Sequence, residues 1–272
     1  MLRTCQPFNM YKFVLILPLF IAISCRTINH IRVELNIPQA VVYFSFDDGP
    51  NDHGDTTAKL LDVLKEYKIQ AMFCLIGENV EQYPELVRRM YDEGHYIANH
   101  GYSDKSAYRM KPDEFRDNLV RGGKAISTAL GRDVSPQLYR PHGGFYNSTQ
   151  EKIIRDEGYM LVPSNIRVYD AVIDGTKQDN VVKQVIRKIE KQGGGIVLLH
   201  DARDSHSLTE TRLSKKPHGV FDRTWIPGTV EKIIPILLDK GFVLNSPDFL
   251  TAISYYSNST KPAYKENSNG TK

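Results

Sequence analysis

The sequence predicts an α/β fold in which parallel strands are joined by crossover helices, as an open sheet or an incomplete barrel. Three observations carry this. Short apolar, β-branched and aromatic runs alternate with longer stretches whose apolar residues recur at helical spacing. Gly closes several of the helical stretches, and Pro or a capping pair opens others. About six or seven such units fit into about 220 residues, which favours a barrel over a flat sheet.

In chain order, residues 41–46 (VVYFSF) read as a buried strand, and residues 57–67 as a helix with Leu60, Leu61, Val63 and Leu64 on one face. Residues 69–76 form a second strand, and residues 84–93 a helix closed by Gly94. A third strand covers residues 95–99, and a long helix runs over 112–130 to Gly131. Asn147 and Gln150 have the spacing of a capping box, opening a helix that reaches Glu157 and Gly158. Strands over 159–163 and 196–199 flank a helix from about 180 to 191. One more helix (229–240) and a strand (242–244) follow, and the Ser, Asn, Thr and Lys-rich segment 256–272 reads as a disordered tail.

Hydrophobic residues make up 41% of the 272 and charged residues 25%, ordinary for a soluble globular protein. A net charge of +3 gives no argument for nucleic acid, and Lys215 and Lys216 read as solvated surface. Gly193, Gly194 and Gly195 precede an apolar strand, whereas a phosphate loop would follow one, so they read as a turn.

The first 25 residues have the layout of an export signal: Lys12, an apolar run over 13–23, then Ser24 and Cys25. Met10 offers an alternative start with a short charged region. The stretch Ala22-Ile23-Ser24-Cys25 resembles a bacterial lipoprotein signal, with Cys25 as the lipidated residue and hence a membrane attachment. Residues 26–40 then form a linker to a domain spanning 41–255. Cys74 is the one cysteine left in that domain, in an apolar run, and reads as core packing with no disulfide framework.

Five polar clusters follow or adjoin strand ends: SFDDGP (45–50), NHGYSD (99–104), RPHGG (140–144), Asp170, and LLHD (198–201). In a barrel of parallel strands, chemistry sits at the C-terminal strand ends. Adjacent carboxylates at Asp47 and Asp48 repel, and burying both calls for a cation. His100 and Asp104 are four apart, a spacing that lets them share a metal on one face of a helical turn. Each cluster alone has a structural explanation, but five at corresponding strand ends point to a divalent metal, with a His and an Asp left over for acid–base work.

Together, in order and spacing, these motifs resemble the polysaccharide deacetylase family (carbohydrate esterase family four, the NodB-homology domain) over residues 41–250. The resemblance implies a distorted (β/α) barrel of about seven parallel strands and hydrolysis of N-acetyl groups on glycans. By the same resemblance, Asp47 is the catalytic base, Arg140 holds it, His200 is the general acid, and Asp170 tunes His200. Asp48, His100 and Asp104 form the metal set, with Asp104 in place of the family's second histidine. The ion is expected to be Zn²⁺, with Mn²⁺ or Co²⁺ as alternatives, since two anionic ligands suit harder ions.

Gly143 takes the place whose backbone N–H helps stabilise the oxyanion, and Leu198 borders the acetyl pocket. His142 replaces a usual proline and reads as a sugar contact or a neutral change before a substitute ligand. Gly143 and Ala171 replace a usual tyrosine and tryptophan, which opens the sugar cleft. Trp225, with the loop 202–221, is assigned to the substrate groove, core packing being the alternative. The expected partner is an acetylated polysaccharide of the cell envelope, such as peptidoglycan or a chitin-like polymer, with no nucleic acid and the chain acting as a monomer. Two rivals are a non-catalytic glycan-binding envelope protein, suggested by Asp104, and a small-molecule amide hydrolase.

Overall fold

The computed structural model describes residues 40–134, 137–202, 222–244 and 249–253. The expected signal, the linker up to residue 39, the polar tail, the segment 203–221 and Cys25 lie outside the described residues.

Seven strands form one parallel sheet: β1 (Val42–Asp47), β2 (Met72–Leu75), β3 (Tyr96–Asn99), β4 (Leu138–Tyr139), β5 (Met160–Leu161), β6 (Ile166–Arg167) and β7 (Gly195–His200). Their spatial order is β5-β4-β3-β2-β1-β7-β6. That is the chain order taken around a ring and broken once, between β5 and β6. The sheet is a curled, incomplete barrel, as the alternation predicts.

Among the described residues the helices that accompany it are α1 (Thr56–Glu66), α2 (Gly77–Gln82), α3 (Pro84–Asp92), α4 (Pro112–Leu130), α5 (Ser148–Asp156), α6 (Gln178–Gln192) and α7 (Ile226–Asp239), with residues 249–253 helical as well. α4 has Pro at its start and stops at Gly131, which takes a left-handed φ of 65° that a β-carbon would oppose. α5 is opened by the expected box: the Asn147 side chain accepts from the Gln150 N–H, and the Asn147 N–H donates to the Gln150 side chain, each at 3.0 Å. Sequence periodicity missed α2 and the two-residue strands β4 and β6, which are too short to show a period. The strand expected at 242–244 is a single parallel bridge, Val243 to Val41. No helix among the described residues is long and apolar enough to cross a membrane.

Side-chain alternation along the strands sorts the molecule into two layers. On β1, Val42, Phe44 and Phe46 pack outward with Leu60, Leu61 and Leu64 of α1 and Val230 and Ile233 of α7. Val41 and Tyr43 instead join Met72, Cys74, Ala98, Leu138, Ile196 and Phe249, with Tyr43 stacked on Phe249 at 4.2 Å. A strand covered on both faces is apolar almost throughout, which is why β1 shows no polar alternation until its end.

The register extends this parity to the strand ends. Asp47 is paired with Cys74 on one side and His200 on the other, and Asn99 with Leu75 and Tyr139. Asp47 and His200 thus share the inner face of neighbouring strands, while His100 and Arg140 each come one residue after a strand end.

Candidate active site

Asp47 ends β1 with only 4% of its surface exposed. Arg140, itself 3% exposed, donates from Nη1 to Asp47 Oδ1 at 2.5 Å and to Ser45 Oγ at 3.0 Å. Its remaining donors reach the connection between β5 and β6, Nη2 to Pro163 O at 3.0 Å and Nε to Val162 O at 3.4 Å. Burial by itself would raise the Asp47 carboxyl, but Arg140, His100 and His200 outweigh it and hold the group below the usual carboxylate range.

Asp48 sits at a left-handed φ of 75°, which is costly for a residue with a β-carbon. Asn79 of α2 donates to its carbonyl at 2.8 Å, which helps fix the turn. The result places two carboxylates side by side. Asp48 is also held low, against burial, by the adjacent His100 and by the charges of His200 and His142.

His100 Nδ1 lies 2.7 Å from the Arg140 carbonyl, an acceptor only, so Nδ1 carries the proton. In the neutral ring Nε2 is then a bare lone pair. It faces Asp48 Oδ1 at 3.4 Å and Asp47 Oδ2 at 3.6 Å. A lone pair turned toward two carboxylates repels them unless a proton or a cation lies between, so the arrangement fits a metal.

The third member of that arrangement is His142. Asp48, His100 and His142 each offer one ligand atom, all within 4.8 Å of one another. His142 Nε2 is 3.6 Å from Asp48 Oδ1, and its ring centre is 5.1 Å from that of His100. Asp104, assigned to the metal set from sequence, falls outside this group and instead has Oδ1 2.7 Å from His142 Nε2. The reason is backbone. Spacing of four brings residues together on a helix, but residues 101–105 are bends and extended chain, starting from Gly101 at φ 96°. One carboxylate and two imidazoles suit Zn²⁺ and also accommodate Mn²⁺ or Co²⁺.

His200 ends β7 opposite Asp47. Asp170, 1% exposed, accepts the His200 backbone N–H on Oδ2 at 2.8 Å and faces ring Nδ1 with Oδ1 at 3.0 Å. Burial would lower the imidazole, but the Asp170 charge and hydrogen bond, with Asp48 and Asp47 beyond, push it up to about 9. Arg223, fully buried just before α7, supports the dyad by donating to Asp170 O at 2.7 Å and Ala171 O at 3.1 Å.

A cleft of about 750 Å³ opens over these groups, lined by Asp47, Asp48, His100, Asp104, Arg140, His142, Gly143, Leu198 and His200. Its rim carries Phe145, Arg167 and Tyr169. Trp225, assigned to the groove from sequence, does not line it. It is 8% exposed, caps the start of α7, packs on Gly175 and donates from Nε1 to Asp222 O at 2.8 Å, so it belongs to the core.

Sequence reasoning also passed over three supporting residues: Ser45, Arg223 and Asp201. Asp201 is fully buried behind the Asp48–Gly49 turn, accepts from Thr57 Oγ1 at 2.6 Å, and is pushed up to about 7 chiefly by burial. Ser45 and Asp201 flank residues already singled out, so their signal was adjacency; Arg223 left none that the sequence exposes.

Comparison with known proteins agrees with the fold. The family model described as polysaccharide deacetylase matches residues 35–162. A chitooligosaccharide deacetylase of Rhizobium leguminosarum bv. trifolii is 31% identical over 205 residues, 75% of this chain and 89% of that protein. A peptidoglycan-N-acetylglucosamine deacetylase of Bacillus cereus is 30% identical over 203 residues, and this chain spans 65% of that relative's length. Among solved structures, a peptidoglycan N-acetylglucosamine deacetylase superposes with a TM-score of 0.63 at 28% identity, over 78% of this chain and 87% of that one. A family 4 acetyl xylan esterase from Clostridium thermocellum, solved with a cobalt ion, gives 0.59 at 27% identity, over 74% and 85%.

Proposed function

The chain belongs to the polysaccharide deacetylase family, and from that membership we propose that it removes N-acetyl groups from a cell-envelope glycan by metal-dependent hydrolysis. One observation carries the reading. Asp47 and His200 lie on adjacent strands at the same register, one held ionised by Arg140 and the other held protonated by Asp170. Two titratable groups pushed in opposite directions across one cleft are an acid and a base in waiting.

Asp48, His100 and His142 would hold the divalent ion, with Asp104 Oδ1 beside the same His142 nitrogen that faces Asp48. When bound, the ion supplies Lewis-acid polarisation of the acetyl carbonyl. Asp47, oriented by Arg140, takes a proton from the attacking water. The Gly143 N–H, in the cleft wall, donates to the oxygen that becomes negative. His200 gives its proton to the departing amine, which is too basic to leave as an anion, and Asp170 keeps that proton available until the bond breaks. Leu198 offers the acetyl methyl an apolar contact in the same cleft. That Asp104 lies beside a second imidazole supports catalysis over the non-catalytic glycan-binding alternative.

Acetate release from peptidoglycan strands and from chitin oligomers, after chelation and return of Zn²⁺, Mn²⁺ or Co²⁺ singly, tests this. Release that chelation abolishes and one of the ions restores is the expected result. No release from any glycan with any ion would sink the reading. The N-terminal sequence supports export and lipidation at Cys25, and the domain spanning residues 41–255 is proposed to act as a monomer. Membrane fractionation of wild type and Cys25→Ala, with sedimentation of the soluble domain, is the corresponding check.

A further inference from the structure

The catalytic groups leave the rim of the cleft unexplained. Phe145 and Tyr169 are 67% and 75% exposed, large apolar surfaces that folding alone does not account for. They stand two residues from Gly143 and Ala171, which present almost no side chain to the same cleft. Tyr169 also holds a left-handed backbone, φ 56° and ψ 28°, a conformation that disfavours a β-carbon and recurs where function fixes a side chain.

The same cleft is lined by Arg167, the last residue of β6 and exposed. Its guanidinium sits over Gly144, with Nη1 3.3 Å from where a β-carbon there would be, so the glycine leaves room for it. Nε donates to Ser164 Oγ at 3.0 Å, which fixes the plane of the fork. Lys188 Nζ donates to the Arg167 carbonyl and so holds its backbone. Among the described residues no carboxylate pairs with Arg167, whereas Arg89, Arg116, Arg140 and Arg155 all have acidic partners.

We propose that the Phe145–Arg167–Tyr169 rim binds the sugar unit next to the one being deacetylated and selects glycans in which that unit carries a carboxylate. The inference rests on the deacetylase reading for the place of the acetylated unit. The aromatic faces take the apolar C–H face of a pyranose ring. The guanidinium takes the carboxylate through a charge-assisted, two-pronged hydrogen bond that a neutral sugar cannot accept. A lactyl ether on an N-acetylhexosamine and a uronic acid both present this group.

The experiment is calorimetric binding to the metal-loaded chain, independent of turnover, with three oligosaccharides of equal length. They are a peptide-free glycan alternating N-acetylglucosamine with its lactyl-bearing counterpart, the same glycan with its carboxyls reduced to alcohols, and one alternating N-acetylglucosamine with a uronic acid. The lactyl glycan is expected to bind about three- to tenfold more tightly than its reduced form, a gap that narrows with salt, as for an exposed ion pair. Arg167→Gln removes that gap, while Tyr169→Ala weakens all three ligands alike. A preference for the uronic acid glycan identifies the source as a ring carboxylate. Equal binding of the lactyl, reduced and uronic forms by the wild type, or a preference that survives Arg167→Gln, overturns the proposal. Acetate release separates the two readings: a carboxylate preference without turnover would count against the hydrolase, and turnover without the preference against this inference.

Discussion

Asp170 holds His200 by two atoms at once, accepting the backbone N–H on one carboxylate oxygen at 2.8 Å and facing ring Nδ1 with the other at 3.0 Å. The backbone contact places the residue and the ring contact orients and charges it. A change at Asp170 therefore alters position and acidity together.

In the metal-free protein, the His200 ring is expected to titrate near pH 9, read from its imidazole resonances. Asp170→Asn keeps the burial and removes the charge, so the titration falls well below about 9. Because the folded value is raised, its contribution to stability is complete below about pH 6.5 and disappears as pH rises through about 9. Denaturant midpoints should show that loss in the wild type and not in Asp170→Asn. A ring that titrates alike in both proteins would remove Asp170 from its assigned role.

Asp47→Asn leaves the shape of the site and deletes the proton acceptor. Turnover should fall by at least about a hundredfold, the scale of a general base, while bound metal remains. Acetate release measured beside metal content distinguishes this from simple loss of the ion. Retained turnover would assign the base elsewhere.

The metal set gives an ordered series. His142→Gln removes a proposed ligand and should weaken the ion by more than a hundredfold in a chelator competition. Asp104→Asn removes the charge of a carboxylate 2.7 Å from that same ligand nitrogen, and should weaken the ion by about tenfold. The reverse order would restore Asp104 as the ligand and make His142 its neighbour.

These outcomes also mark what could be read from the sequence. Asp47, His200 and Arg140 were legible because strand ends are visible as the points where apolar runs stop, and parity then fixes their direction. The ring order follows from the same alternation. That His142 joins Asp48 and His100 in one group of possible ligand atoms was not legible, because it depends on how two loops turn toward one point, and spacing along the chain carries no such angle. Trp225 misled for a related reason: a lone large aromatic looks the same in sequence whether it lines a groove or begins a helix.

Arg223→Met tests a residue that left no sequence signal. It removes two charge-assisted hydrogen bonds to buried carbonyls, which should cost roughly 3 kcal/mol and lower turnover by loosening Asp170. Phe73→Ala, deep in the outer layer against Phe46, should cost about 3–5 kcal/mol yet leave turnover per folded molecule intact. Equal effects of the two on the folded fraction's kcat would deny Arg223 any part in positioning.

The break between β5 and β6 has a consequence for heat sensitivity. Where neighbouring strands elsewhere are laced by ladder bonds, here the segment that joins β5 to β6 is held from the β4 side, by the Arg140 fork on the carbonyls of Val162 and Pro163. The same cation is the counter-ion of Asp47. Breathing of the barrel at its seam therefore tugs directly on the group that must accept a proton. On warming, activity should fade several degrees before the helices melt, with the first amides to exchange lying on either side of that gap.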